Sequence, residues 1–128
     1  MRNAILMLLL AVTSGSAAAA WVLIGRNEIT AAYADPASIS RTGNVVRMRD
    51  MFDLKTARTL DKKPYLSMTR EVEYDCKEER SRLLSFSGHS KSMAAGEVVY
   101  SASDPHNWEP ISSSSGNATL WKFACETR

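Results

Sequence analysis

Apolar and polar residues alternate with a period of two over much of this chain. In the segment NVVRMRDMFDL the apolar side chains of Val46, Met48, Phe52 and Leu54 fall on one face. The segment YLSMTREVEYDC repeats the pattern, with Leu66, Met68, Val72, Tyr74 and Cys76 on one face. Alternation of this kind predicts β-strands with one buried face.

Two charged residues interrupt these apolar faces, Asp50 in the first segment and Arg70 in the second. A buried charge without a partner is costly, so a charge at a core-facing position needs an opposite charge nearby. We therefore expect Arg70 either to pair with a carboxylate such as Asp50 or to lie at the margin of the sheet.

Turn signals divide the rest of the chain into shorter elements. Further strands are expected over Trp21–Arg26, Ile29–Ala34, Arg80–Ser87 and Glu97–Ser101. Gly43 indicates a hairpin, and Gly88 is expected to end a strand. Asp35 as an N-cap before Pro36 predicts a short helical turn. The polar segment KTARTLDKKP predicts a loop.

The last element is the segment NATLWKFACET, in which Trp121 and Cys125 are four residues apart and so share one face of a helix. A helix of about ten residues is marginal alone in water and must pack on something. The patterns together predict an α+β fold, a twisted antiparallel sheet of about six strands with one C-terminal helix packed on a face.

The first 20 residues have the organisation of a secretory signal peptide. Arg2 precedes an apolar run, and small residues ending in Ala18-Ala19-Ala20 follow it. The run is shorter than the roughly 20 residues that span a membrane. We expect cleavage after Ala20, a single exported domain over residues 21–128, and no lipid anchor, since no cysteine lies near the cleavage site.

The charge balance limits the class of partner. Cleavage removes Arg2 from the 16 basic residues and none of the 14 acidic ones, which leaves a net charge of +1. A general nucleic-acid binder shows a strong basic excess instead. We expect no nucleic-acid partner, and any electrostatic function must come from a local patch.

The chain has two cysteines, Cys76 and Cys125, and both lie in the part expected to be exported. An even count in an oxidising compartment favours a disulfide. The alternatives are a catalytic thiol, which needs a histidine base, and a zinc site, which needs three or four ligands at close spacing. A bond from Cys76 on the apolar face of the sheet to Cys125 would fix the helix on that face.

Three segments together resemble one known family. They are EYDCKEERSRLL, GEVVYSASDPHNWEPI and LWKFAC, and the segments WVLIG and YADPASISRTGNVVRM are similar as well. The chain resembles the surface-adhesin protein E-like domain family of Gram-negative bacteria over essentially all of residues 21–128. The resemblance implies a sheet of about six strands, a C-terminal helix on one face, and a disulfide matching Cys76 and Cys125.

The resemblance also implies a function. The adhesin of that family is an outer-membrane lipoprotein that binds host matrix and plasma glycoproteins such as vitronectin and laminin. Because this sequence offers no lipid-attachment cysteine, we expect a periplasmic or released protein. The leading interpretation is an exported, non-enzymatic binding module, and the alternative is a soluble periplasmic protein with a structural or envelope-stress role.

The candidate partner-binding residues are Lys77, Arg80 and Arg82, with Trp108 as an exposed aromatic anchor. The two arginines share one face of a strand and could bind acidic segments or sulfated glycans of a protein partner. The competing interpretations are a charge-balanced solvated face, whose ion pairs contribute little, and a tryptophan that caps the edge of the core.

An enzymatic function is the remaining hypothesis. Serines, His89, His106 and several aspartates could form a hydrolytic site, but the chain contains neither G-x-S-x-G nor S-x-x-K. We expect no catalysis, no cofactor and no metal. Exposed sheet edges make a homodimer a further expectation.

Overall fold

A computed structural model describes residues 20–127. The predicted signal peptide, apart from Ala20, lies outside the described residues. In chain order the elements are β1 (Val22–Arg26), β2 (Thr30–Thr42), β3 (Val45–Leu60), β4 (Lys63–Asp75), β5 (Arg80–His89), β6 (Val98–Ala102), β7 (Glu109–Pro110) and α1 (Gly116–Glu126).

The strands β1 to β6 form one antiparallel sheet in which each strand pairs with the next along the chain. The two-residue strand β7 pairs with the start of β5. This meander and its C-terminal helix confirm the predicted fold class. We call the face that packs on α1 the inner face and the opposite one the outer face.

The inner face holds the core. Leu120 and Ala124 of α1 are fully buried among the side chains of three strands, which are Ala34, Val46, Met48, Val72 and Tyr74. The helix begins after Ser115, whose side-chain oxygen accepts a hydrogen bond from the Ala118 N–H at 3.3 Å. Such a cap satisfies one of the free N–H groups at the start of a helix.

The predicted disulfide between Cys76 and Cys125 is confirmed. Cys76 is the first residue after β4, and Cys125 is in the last turn of α1. The Trp121 indole N–H also donates to the Asp75 carbonyl at 2.9 Å. The end of α1 is therefore joined to the end of β4 by a covalent bond and a hydrogen bond.

The two charges on the inner face pair with each other, which confirms the expectation that Arg70 pairs with a carboxylate such as Asp50. Asp50 and Arg70 face each other across β3 and β4. Two guanidinium nitrogens donate to the two carboxylate oxygens at 2.8 and 2.7 Å. Asp50 is completely buried, and burial followed by the Asp50 charge raises the pKa of Tyr74, whose hydroxyl lies 3.4 Å from that carboxylate.

The short helical turn predicted at Asp35 and Pro36 is wrong, because β2 continues through this segment as a bulge between Asp35 and Ser40. The Asp35 carboxylate accepts a hydrogen bond from the Ala37 N–H at 3.2 Å. This contact to the residue two positions later is typical of an aspartate that forms a turn, and it does not begin a helix. The Ser38 hydroxyl accepts from the Arg49 N–H at 2.8 Å and replaces a backbone partner in the ladder.

The loop predicted over KTARTLDKKP is also wrong. β3 extends to Leu60 and β4 begins at Lys63, so only Asp61 and Lys62 form the connection. Both have positive φ angles, 54° and 66°. Two-residue hairpins favour this conformation because its twist matches that of the strands. Gly88 does not end β5, which continues to His89.

Candidate functional site

The outer face carries three neighbouring columns of charge at the end of the sheet that holds the disulfide. The two flanking columns are basic and the middle column is acidic. Their members are Arg47 and Arg49 on β3, Glu71, Glu73 and Asp75 on β4, and Arg80 and Arg82 on β5. Because directly opposed side chains on a sheet approach to about 5 Å, the carboxylates of the acidic column can form ion pairs with the arginines on both sides.

Salt bridges connect the columns. Arg80 Nε lies 3.1 Å from Asp75, and Arg82 Nε lies 2.7 Å from Glu73. On the other side Arg47 pairs with Glu71. Two of the predicted basic residues, Arg80 and Arg82, are therefore paired with carboxylates of the neighbouring strand, and the surface is an ordered alternation of charge.

Trp108 lies against both arginines of β5. The guanidinium carbons of Arg80 and Arg82 are 5.0 and 4.9 Å from the centroid of its ring. Cation–π attraction acts within about 6 Å. The pairing of β7 with Arg80 and Ser81 holds this part of the chain beside β5.

Three of the four predicted partner-binding residues, Arg80, Arg82 and Trp108, thus come together. Lys77 is exposed in the turn between β4 and β5, one residue after Cys76. We call these four residues the Arg–Trp surface. The carboxylates that fix its arginines, Glu73 and Asp75, were not among the predicted site residues. Their alternation with Val72 and Tyr74 is the signal that could have placed them opposite the arginines of the next strand.

Asp75 organises the turn that carries Lys77. Its carboxylate accepts from the backbone N–H groups of Lys77 at 3.0 Å and Glu78 at 3.1 Å, and from Arg80 at 3.1 Å. The Glu78 N–H, supported by Arg80 and the Lys77 N–H, holds the pKa of Asp75 below its ordinary value, although partial desolvation opposes the shift. The charged form of Asp75 is therefore the one that stabilises this turn.

The arginines keep hydrogen-bonding capacity for a partner. Each guanidinium has five N–H donors, and the bonds to Asp75 and Glu73 use only Nε. Within residues 20–127 neither guanidinium makes another hydrogen bond. Their side chains are 43% and 35% exposed, so an acidic ligand can reach them.

The histidines do not form a hydrolytic site with the serines. His89 Nε2 lies 2.9 Å from the Thr69 hydroxyl, and burial followed by the Arg49 charge lowers the pKa of His89. A nucleophile–base pair also needs a third group that orients the base. Over the part of the chain that the structure describes, no side chain bonds the other ring nitrogen of His89. His106 is exposed and contributes its backbone N–H to Leu83.

Residues 20–127 contain neither a candidate metal site nor a candidate membrane-spanning helix. No three residues of the types His, Cys, Asp and Glu lie close enough together there to hold a metal ion. Within the same range, no helix has both the length and the apolar character needed to cross a membrane.

The fold and the outer face together define a class, an antiparallel meander whose last helix is fixed on one face by a disulfide and whose other face carries the columns of charge. The family model described as Surface-adhesin protein E matches residues 21–126. The chain belongs to this family. A comparison with curated protein sequences gives no match.

Solved structures with the same fold come from Haemophilus influenzae. Crystal form II of its protein E aligns with a TM-score of 0.63 at 12% identity and covers 83% of this chain and 87% of that one. A second protein E structure gives a TM-score of 0.61 at 12% identity, with 83% of each chain covered. The protein E structure from a non-typeable strain gives 0.51 at 13% identity, covering 78% of this chain and 72% of that one.

Family membership supports a surface-adhesin-like, exported protein with protein partners, and it favours a non-enzymatic role. At 12% identity the solved structures show the shared fold alone.

Proposed function

We propose that this chain is an exported, non-enzymatic binding module that holds acidic segments or sulfated glycans of a protein partner on its Arg–Trp surface. The mature protein starts at Trp21 in this proposal. The observation that supports it most is the contact of Trp108 with both Arg80 and Arg82.

Tryptophan and arginine are enriched among the residues that dominate binding at protein interfaces. Here they are held in place before any partner arrives, because Asp75 and Glu73 fix the guanidinium groups. Binding then costs little side-chain ordering, which is the usual way in which preorganisation increases affinity.

The partner class follows from the donors that remain. Free guanidinium N–H groups form paired hydrogen bonds with carboxylates and comparable oxyanions. Lys77 adds a mobile point charge in the adjacent turn. The carboxylates of β4 would repel a ligand that is acidic over its whole length. The surface therefore suits a partner whose acidic groups are confined to one short region.

The test is solid-phase binding of purified Trp21–Arg128, with the disulfide intact, to vitronectin, laminin and envelope extract over a salt series. We expect saturable binding to a matrix glycoprotein that weakens as salt increases. Binding only to an envelope component would favour the alternative, a periplasmic protein with a structural or envelope-stress role.

Three variants locate the surface. Trp108→Ala should weaken binding by about 2 kcal/mol or more, roughly 30-fold, and Arg82→Gln should reduce the salt dependence. Arg47→Gln is the matched control, because Arg47 is also exposed and ion-paired but makes no contact with Trp108 in the described chain. Charge reversal is avoided, since a glutamate opposite Glu73 would repel it.

Equal affinity of the Trp108→Ala variant and the parent would remove the Arg–Trp surface from the proposal. The strands β1 and β6 lie at the two ends of the sheet order, and we also propose them as the edges through which two copies could pair. Light scattering across a concentration series tests that pairing separately.

A further inference from the structure

The inner face has a second part that the helix does not cover. Beyond the start of α1 the sheet forms an open cavity of about 430 Å³. Its apolar lining is Phe52, Leu54, Tyr65, Met68, Leu83 and Phe86. We call this cavity the inner groove.

The groove exists because the helix is shorter than the strands beneath it. α1 has 11 residues, which corresponds to about 16 Å at 1.5 Å per residue. β3 has 16 residues, which corresponds to roughly 50 Å at 3.3 Å per residue. The disulfide fixes the helix at the Cys76 end, so the apolar positions toward the other end of β3 remain open.

Among residues 20–127, the charge at the groove that no carboxylate compensates is that of Arg58, since Arg70 is paired with Asp50. The described residues that line it include two arginines, Arg58 and Arg70, and no acidic residue. Arg70 is held by the buried Asp50 and lies over the Phe52 ring at 4.5 Å. Arg58 is exposed and has no salt-bridge partner among residues 20–127.

The start of α1 adds to this positive character. Arg70 Nη2 lies 3.4 Å from the Asn117 side-chain oxygen, which places the first turn of the helix beside the groove. The N-terminus of a helix carries about half a positive charge. An apolar ligand with a negative charge therefore complements the groove, and a cationic one does not.

We propose that the inner groove binds a monocarboxylate with a single acyl chain, the chemical class of a free fatty acid. The chain lies over Phe52, Met68 and Phe86, and the carboxylate pairs with Arg58. The volume falls within the roughly 300–1,000 Å³ of small-molecule sites, which are mostly apolar with a few polar groups that orient the ligand. This site is on the opposite face from the Arg–Trp surface and does not depend on it.

Calorimetric titration of purified Trp21–Arg128 with octanoate, decanoate and dodecanoate, each below its micelle concentration, tests the proposal. We expect one ligand per chain and an affinity that increases about threefold to fourfold for each methylene buried. Dodecanol, which has the chain without the charge, should bind at least about tenfold more weakly than dodecanoate.

The charge contact is tested by Arg58→Gln, which should reduce dodecanoate affinity about tenfold while leaving dodecanol unchanged. Lys55→Gln is the matched control, because Lys55 is an exposed cation on the same strand that does not line the groove. Both positions are exposed, so neither variant should lose its fold. Absence of binding, affinity that ignores chain length, or equal losses in the two variants would each overturn the proposal.

Discussion

The Asp50–Arg70 pair provides the sharpest test of how this fold is stabilised. Asp50 is completely buried, whereas the Arg70 side chain is 15% exposed and borders the inner groove. The proposed perturbation is a cycle of three variants, Asp50→Leu, Arg70→Met and both together. The two single variants each leave one charge without its partner, and the double variant leaves none.

The structure predicts unequal costs for the single changes. Removing one member of a buried pair costs about 3–5 kcal/mol. Arg70→Met should lie at the upper end, because Asp50 then keeps only the Tyr74 hydroxyl at 3.4 Å among its side-chain donors in the described chain. Asp50→Leu should lie at the lower end, because Arg70 can turn toward water in the groove.

The double variant should be more stable than either single variant, within about 2 kcal/mol of the parent, because two apolar side chains replace the pair without stranding a charge. Urea unfolding followed by circular dichroism, with the disulfide intact, gives the four free energies of unfolding. Single costs below about 1 kcal/mol, or additive costs in the double variant, would refute the idea that these two buried charges depend on each other.

Three further outcomes follow from particular residues. Replacing Cys76 and Cys125 by serine should lower the free energy of unfolding by about 4 kcal/mol, since the bond closes a loop with a separation of 49 residues; mass analysis after alkylation should find no free thiol in the parent. The folded-state pKa of Asp75 is below its ordinary 3.8, so the stabilising contribution of its carboxylate is present above that value and is lost as the pH falls through the folded pKa. Asp75→Asn should therefore flatten the acid limb of a curve of stability against pH. An unchanged acid limb would contradict this. Gly96→Ala should destabilise more than Gly43→Ala, although both have positive φ, because a Cβ at Gly96 would lie 2.2 Å from the Ser90 hydroxyl and one at Gly43 would meet open space; urea midpoints in the reverse order would reject that reasoning.

Alternation was enough to predict the strands whose two faces differ in polarity. The faces of β3 and β4 follow from side chains that alternate as the pleat does. Prediction was wrong where a polar stretch still made ladder hydrogen bonds. The segment after Leu54 is exposed on both faces, so apolar and polar residues do not alternate along it. It nevertheless pairs with β4 through Arg58, Thr59 and Leu60.

The candidate site was predictable in part. The residues of the Arg–Trp surface could be chosen by type, but their contacts depend on pairings between distant strands. Trp108 reaches the arginines because β7 adds to β5, and a two-residue strand has too few positions to show a period. The inner groove was not predictable in this way, because the pattern ends the β3 strand at Leu54 and so hides how far the strand extends beyond the helix.

The position of the disulfide explains how one small domain can offer two independent surfaces. It fixes α1 over the Cys76 end of the inner face, so the core that α1 completes lies on one side of the sheet and the charged columns lie on the other. Partly exposed surface ion pairs such as Arg82–Glu73 contribute about 0–1 kcal/mol each, far less than the buried groups on the inner face. Substitutions on the Arg–Trp surface should therefore leave the fold unchanged. The same separation makes Trp108→Ala an informative variant, because a loss of binding with an unchanged melting temperature can only come from the surface itself.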